Sequence, residues 1–337
     1  TEFERYLRCG ILQHGFVRLR CPSCKATRVV GFSCKRRGFC ASCGVRRMEQ
    51  AASRLEQEVW PTANARQFVL TFPHQVRHWL SRSEDLLSEV ILVVTDVIRE
   101  FYEEHTLRHA SGDLTPTQAT SGAITFVQLF GSSLNLNPHL HMVFLDGVYA
   151  KTRGGIRKQF FAFERFDTDC VLEILHGIYA GLERLFKRRG FARDDDGDFS
   201  ESDHDEVVLP FKPRSPKAYR RMGKARSSPP HALYHQVDPE MMSVEGWCNV
   251  RWRWFSLHAG VAIKGEDRHG LKRLFRYVSR SSVPVSRLTY ADPEDKESSD
   301  LLLGLKRPWR DGTESLRFKQ IDFVERLASL VPRPSPE

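Results

Sequence analysis

No apolar run in this chain is long enough to cross a bilayer; the nearest, residues 90–98, is interrupted by Thr95 and Asp96. No signal-peptide pattern opens the sequence and no internal repeat runs along it, so secretory-leader and solenoid readings have nothing to rest on. Starting at Thr1 and not at Met, the chain is expected to lack its true N-terminus. A disulfide framework is missing too: there are eight cysteines, and five of them crowd between Cys21 and Cys43, a pattern of metal binding in a reducing compartment. No carboxylate stands at a spacing that marks a general base for water, which argues against a metal hydrolase. Acidic excess is absent as well. With 51 Lys and Arg against 42 Asp and Glu the net charge is +9, which favours an anionic partner, nucleic acid above all.

What is present fills 337 residues, room for two domains or for one large domain with appendages. Residues 1–60 are basic and cysteine-rich. Residues 86–105 carry apolar side chains at helical spacing (Leu86, Val90, Val93, Val94, Val97, Ile98, Phe101). After a linker at 112–118, residues 123–130 and 139–149 read as strands joined by a polar turn. Helices are expected over 171–189, 269–280 and 321–330, and a strand over 254–263. Residues 194–206 are acidic, whereas 212–226 hold seven Lys or Arg and no acid, either a solvated loop or a phosphate contact.

Cys21-x-x-Cys24, fifteen residues, then Cys40-x-x-Cys43 is the spacing of a two-knuckle structural zinc site. Four thiolates close every position on the metal, so such a site folds a module and does no chemistry. Arg36, Arg37, Arg46 and Arg47 decorate the module and are expected to contact DNA. Cys9, His14 and Cys34 are either two buried thiols and an exposed imidazole, or ligands of a second zinc.

His139-Leu140-His141 begins a strand-like run, and side chains two apart share a face of a sheet. Alone, the pair is either decoration on a solvent face or a two-imidazole grip on one metal ion. A third ligand would come from Gln128 on the preceding strand or from Asp146. Asn135 and Asn137 suit either turn formation or donation to DNA. His258, on an apolar strand, reads as a satisfied core histidine. Downstream, Leu271, Leu274, Phe275 and Val278 form one helical stripe while Lys272, Arg273, Arg276 and Arg280 face away. Tyr277 falls on the margin, one turn after Arg273 and about one turn before Arg280. A phenol with a pKa near 10 needs cations or a metal to act as a nucleophile at neutral pH, and arginines also hold phosphodiesters.

Taken together these residues resemble the rolling-circle, single-strand transposases of the His-hydrophobe-His (HUH) tyrosine endonuclease superfamily, within it the insertion-sequence and common-region elements with an N-terminal zinc-binding domain. The likeness runs over nearly the whole chain. SCKRRGFCASCGVRRM (33–48) looks like the zinc module, QFVLTFP (67–73) like the opening catalytic strand, and QLFGSSLNLNPHLH (128–141) like the metal motif. FSLHAG (255–260), LFRY (274–277) and KRPWRDGT (306–313) resemble C-terminal landmarks. The sequence departs from its relatives at Ser281, where some carry a second tyrosine, and at Ser281-Ser282, where many carry Pro-Pro. The family also continues past the Pro-rich segment where this chain stops.

The resemblance implies an α+β fold, an antiparallel sheet of ferredoxin- or RNA-recognition-like type preceded by a small zinc-binding domain. The domains would be 1–60 (zinc, DNA contact), 61–290 (endonuclease, with a variable insertion at 150–250) and 291–337 (C-terminal extension). Tyr277 would be the single nucleophile, aided by Arg273 and Arg280. His139, His141 and Gln128 would hold Mg²⁺ or Mn²⁺, and Lys272 and Arg276 would contact DNA. Expected partners are single-stranded DNA with element-end hairpins and, if two protomers each supply a tyrosine, a second copy of the chain. The expected location is the bacterial cytoplasm, on the nucleoid when DNA-bound. A non-catalytic zinc-dependent DNA-binding protein is the competing reading.

Overall fold

The computed structural model describes residues 2–35, 40–109, 119–152, 155, 157–193, 199–201, 242–282, 285–295, 297–309 and 311–330. Arg36 and Arg37, the 112–118 linker, the basic run 212–226 and most of the acidic stretch 194–206 lie outside the described residues.

Helix α1 (Glu2–Leu7) leads into a hairpin, β1 (Phe16–Arg20) and β2 (Thr27–Gly31), followed by α2 (Ala41–Arg54), which ends in a π turn. Strand β3 (Ala65–Thr71), helices α3 (His74–Arg82) and α4 (Glu84–His109), and strands β4 (Ala123–Phe130), β5 (Leu136–Leu145), β6 (Gly147–Lys151) and β7 (Lys158–Ala162) come next. Then follow α5 (Thr168–Arg188), the short strands β8 (Phe191–Arg193) and β9 (Phe199–Glu201), and the meander β10 (Met242–Gly246), β11 (Asn249–Trp252) and β12 (Phe255–Ile263). Helix α6 (Arg268–Val278), strands β13 (Leu288–Tyr290), β14 (Leu301–Gly304) and β15 (Ser315–Phe318), and helix α7 (Gln320–Ser329) complete the chain. The fold is mixed α+β, and its largest sheet is six-stranded and antiparallel in the order β10-β11-β12-β3-β5-β4.

By contact the chain divides into two compact units that are discontinuous in sequence. One comprises 1–66, 124–146 and 262–337; the other comprises 67–123 and 147–261. In the second, the stripe expected on α4 is buried at Leu86, Val90, Val94, Ile98 and Phe101. It packs on α5, whose first turn is capped by the Asp167 carboxylate accepting from the Cys170 N–H at 3.1 Å. The two helices approach closely because Gly181 has no side chain: a Cβ there would lie 2.7 Å from Val93.

In the first unit α6 is anchored at its start and along its length. Asp267 caps its start, accepting from the Gly270 N–H at 2.8 Å, and Arg268 pairs with Glu56 at 2.9 Å. Along its length the Phe275 ring meets Trp60 edge-on at 5.6 Å, and Arg276 reaches Glu49 of α2 at 2.6 Å. The turn between β4 and β5 is fixed differently. Leu134 is buried there in a cluster with Leu303, Phe318, Phe323, Leu327 and Leu330, so strands β14 and β15 and helix α7 brace the entry to β5.

The run expected as one strand over 139–149 is two. β5 ends at Leu145, and Asp146 turns its carboxylate onto the buried Arg66 guanidinium with bonds of 2.9 and 2.8 Å. That ion pair engages both Asp146 oxygens, one bond to each.

Candidate active site and metal centre

The N-terminal module gathers four thiols, and they are not the expected four. Sγ atoms of Cys9, Cys34, Cys40 and Cys43 all lie within 4.8 Å of one another, with Cys9–Cys40 at 3.5 Å, Cys34–Cys43 at 3.5 Å and Cys9–Cys43 at 3.6 Å. A tetrahedral zinc with bonds of ~2.3 Å spaces its sulfurs about 3.8 Å apart, so the cluster fits the ion. Cys21 and Cys24 belong instead to the β1–β2 turn, where Cys21 lies 3.1 Å from the Ser23 hydroxyl.

Both zinc expectations are corrected by this. Cys9 and Cys34 are ligand candidates of the same site as Cys40 and Cys43, and His14 is exposed on a short turn outside the cluster. The cause is the hairpin. Each of its strands has five residues, about 16 Å, so the Cys21–Cys24 turn projects from one end while the chain ends meet at the other. There the Gly10 N–H donates to the Phe32 carbonyl and the Cys34 N–H to the Cys9 sulfur at 3.3 Å. Gly31 permits the approach, since a Cβ on it would sit 2.6 Å from the Gly10 oxygen. Without a cation the four thiols cannot all ionise: burial, then the neighbouring cysteines, pushes Cys34 up to about 12.

Around this cluster Arg5, Arg8, Lys35 and Arg46 line an open cavity of about 790 Å³ that also holds His14. Arg47 is exposed and donates to the Lys35 carbonyl. These cations sit where an anionic partner would be held.

The second site lies on β5 and α6. His139 and His141 are both buried, with ring centroids 4.9 Å apart. The His139 Nδ1 lies 2.7 Å from the Asn137 carbonyl, an acceptor only, so Nδ1 carries a proton and Nε2 is the nitrogen that could meet a metal. His141 is held neutral: burial first, then His139, Arg280 and Lys306, lowers its pKa to about 3. Two imidazoles on one strand face are a donor set suited to a divalent ion.

Tyr277 stands against this pair. Its ring meets His141 edge-on at 5.5 Å and 88°, and it is 45% exposed, open to a substrate. The Arg280 guanidinium lies 4.6 Å from the centre of the same ring. Gln128, buried on β4, is clasped from two sides: its Nε2 donates to the Val278 carbonyl at 3.0 Å, and its Oε1 accepts from Arg280 at 3.3 and 3.4 Å. Both Arg280 bonds fall on Oε1, an oxygen with two lone pairs, so in this arrangement the amide oxygen is taken up by Arg280.

Of the other helix cations, Arg273 is exposed, Lys272 is half-buried, and Arg276 is drawn to Glu49. Asn135 serves the turn, accepting from Ser133 at 2.7 Å, and His258 is half-buried on β12 with burial lowering its pKa. Two cations escaped the sequence reading. Lys306 acts electrostatically on His141, and Arg287, which donates to the Gly304 carbonyl at 3.1 Å, acts on Lys306. Lys306 opens a motif already singled out; nothing local distinguishes Arg287.

Fold and cluster define a mixed α+β protein with an N-terminal tetracysteine zinc-binding module. Its family is narrower. Residues 122–336 match the family described as "Putative transposase" and residues 1–72 the family described as "Transposase zinc-binding domain". The first match covers more than half of the chain, so the chain belongs to that transposase family. No curated protein and no solved structure matches it.

Proposed function

We propose that this transposase cleaves and rejoins single-stranded DNA at the ends of its element, with Tyr277 as nucleophile. The observation that carries the reading is the contact of one ring with two groups: His141 at 5.5 Å and Arg280 at 4.6 Å, both against Tyr277. His139 and His141 would hold Mg²⁺ or Mn²⁺, with the Gln128 oxygen as third ligand once it exchanges Arg280 for the ion; when bound the ion supplies Lewis-acid charge to a scissile phosphate.

The residues divide the work. Arg280 and Arg273 hold the phosphodiester. The Tyr277 oxygen forms a bond to phosphorus as the bond to the 3′ oxygen breaks; the departing oxygen keeps the electron pair and takes up a proton equal to the one Tyr277 loses. The products are a 5′-phosphotyrosine and a 3′-hydroxyl. The new ester retains the bond energy, so the reverse attack joins strands without ATP. Lys272, Arg276, Arg46 and Arg47 would add phosphate contacts. On this reading residues 61–290 form an endonuclease of ferredoxin-like HUH type, residues 1–60 its zinc module and 291–337 an extension.

A labelled single-stranded oligonucleotide carrying an element end, incubated with protein and Mn²⁺ and run on a denaturing gel, tests this. A protein–DNA adduct that disappears in Tyr277→Phe supports it. Retention without any adduct in the wild type favours a zinc-dependent DNA-binding protein with no chemistry of its own.

A further inference from the structure

The turn from β11 to β12 breaks the usual rule for its shape. Trp252 pairs with Phe255, leaving a two-residue loop of Arg253 and Trp254 with φ of 45° and 67°. Both residues are left-handed, the geometry of a type I′ turn, which ordinarily takes Asn-Gly because side chains there clash with the backbone. Strain of this kind persists only where surroundings impose it. Here Arg253 supplies the hold: it donates to the Tyr179 hydroxyl at 3.1 Å and lies over the Tyr179 and Trp252 rings at 5.6 and 5.8 Å. Its neighbour gains nothing from the core. Trp254 projects outward and is 67% exposed, the most exposed aromatic side chain among the described residues.

Trp254 does not stand on a bare surface. It lines a cavity of about 290 Å³ with Arg251, Ser256, His74, Gln75 and Arg77. That volume is at the small end for ligand clefts, room for one planar heterocycle. Arg251 is tethered to Glu245 at 2.9 Å, and Arg77 is anchored through its Nε by the Phe72 carbonyl, so both guanidinium groups are held in place. Serine, glutamine and imidazole add donors and acceptors for the edge of a base. An exposed indole beside fixed cations is how proteins hold unpaired bases, the ring stacking and the cations meeting the backbone.

We propose that Trp254 and this cavity form a nucleobase-binding site that takes one unpaired base of single-stranded DNA. It rests on the family's dealings with DNA and makes no use of Tyr277 or of the histidine pair. The test is equilibrium binding of a fluorescently labelled single strand, followed by anisotropy in chelator-free buffer without divalent metal, so that cleavage does not enter. Trp254→Ala should weaken binding about tenfold or more, and Trp254→Phe, which keeps a ring, should stay within about threefold of wild type. On a strand of equal length and charge made of abasic sites, wild type and Trp254→Ala should bind alike. Equal affinity of Trp254→Ala and wild type for the normal strand would overturn the proposal, as would a loss that persists on the abasic strand. A change in sedimentation of Trp254→Ala with DNA affinity intact would also overturn it, assigning the face to a second copy of the chain. Adduct formation at Tyr277, measured separately, can fail or succeed without altering any of these outcomes.

Discussion

Exchanging one thiol at a time separates the two groupings of cysteine in the N-terminal module. Cys34→Ser removes a sulfur that lies 3.5 Å from Cys43, whereas Cys24→Ser alters an exposed turn outside the cluster. Structural zinc contributes roughly 10–16 kcal/mol of apparent binding energy, most of which is folding energy of the module it closes. A site reduced to three sulfurs loses the greater part of that, so Cys34→Ser should fall from one zinc per chain to almost none. Cys24→Ser should keep its zinc. Native mass spectrometry counts the metal, and thermal melts with and without chelator report the stability that mass action adds, about 4 kcal/mol at free zinc a thousandfold above Kd. Cys34 and Cys40 are both raised above their ordinary value by burial, so zinc uptake must expel at least these two protons. Apparent affinity should therefore drop roughly a hundredfold or more for each unit of acidification. Zinc retained by Cys34→Ser but lost from Cys24→Ser would refute the grouping.

Three further outcomes are expected. His139→Ala should abolish cleavage while leaving oligonucleotide affinity within about twofold, read by gel and anisotropy on the same preparation; wild-type cleavage would remove the metal assignment. Arg66→Met takes the guanidinium partner from the buried Asp146 carboxylate, and denaturant titration should show a loss of about 3–5 kcal/mol. His141 is neutral when folded, with a pKa near 3, and titrates near 6.5 when unfolded. The unfolded chain therefore binds the extra proton between those values, and folding stability from this group is complete above pH 6.5 and lost as pH falls toward 3. Its imidazole Cε1 resonance should keep its neutral-form shift down to pH 4.5; a midpoint near 6.5 would contradict the burial argument.

Local elements were legible because local chemistry makes them. The stripe Leu271, Leu274, Phe275 and Val278 is buried as its period required. Strand β4 runs over the expected residues, and Tyr277 falls at the exposed margin of its helix. Contacts distant in sequence were not legible. Nothing in the spacing of Cys21, Cys24, Cys40 and Cys43 reveals that a hairpin carries one pair away and lets Cys9 return to Cys34. The break at Asp146 depends on Arg66, eighty residues earlier, and a continuous apolar alternation conceals it. Gln128 was placed beside the histidines by hairpin logic, but its bond to Arg280 spans 152 positions. The Arg253-Trp254 turn was hidden for a different reason, since the usual signal for its geometry is Asn-Gly.

In the proposed reaction Tyr277 becomes covalently joined to DNA. The most direct measurement is peptide mapping of the adduct: trap it with a single-stranded element end and Mn²⁺, digest protein and DNA, and identify the modified peptide by mass spectrometry. A single nucleotide-bearing peptide with phosphate on the Tyr277 oxygen, absent from Tyr277→Phe, is expected. An adduct mapping to another of the eight tyrosines, or cleavage that leaves no protein-linked DNA, would contradict it.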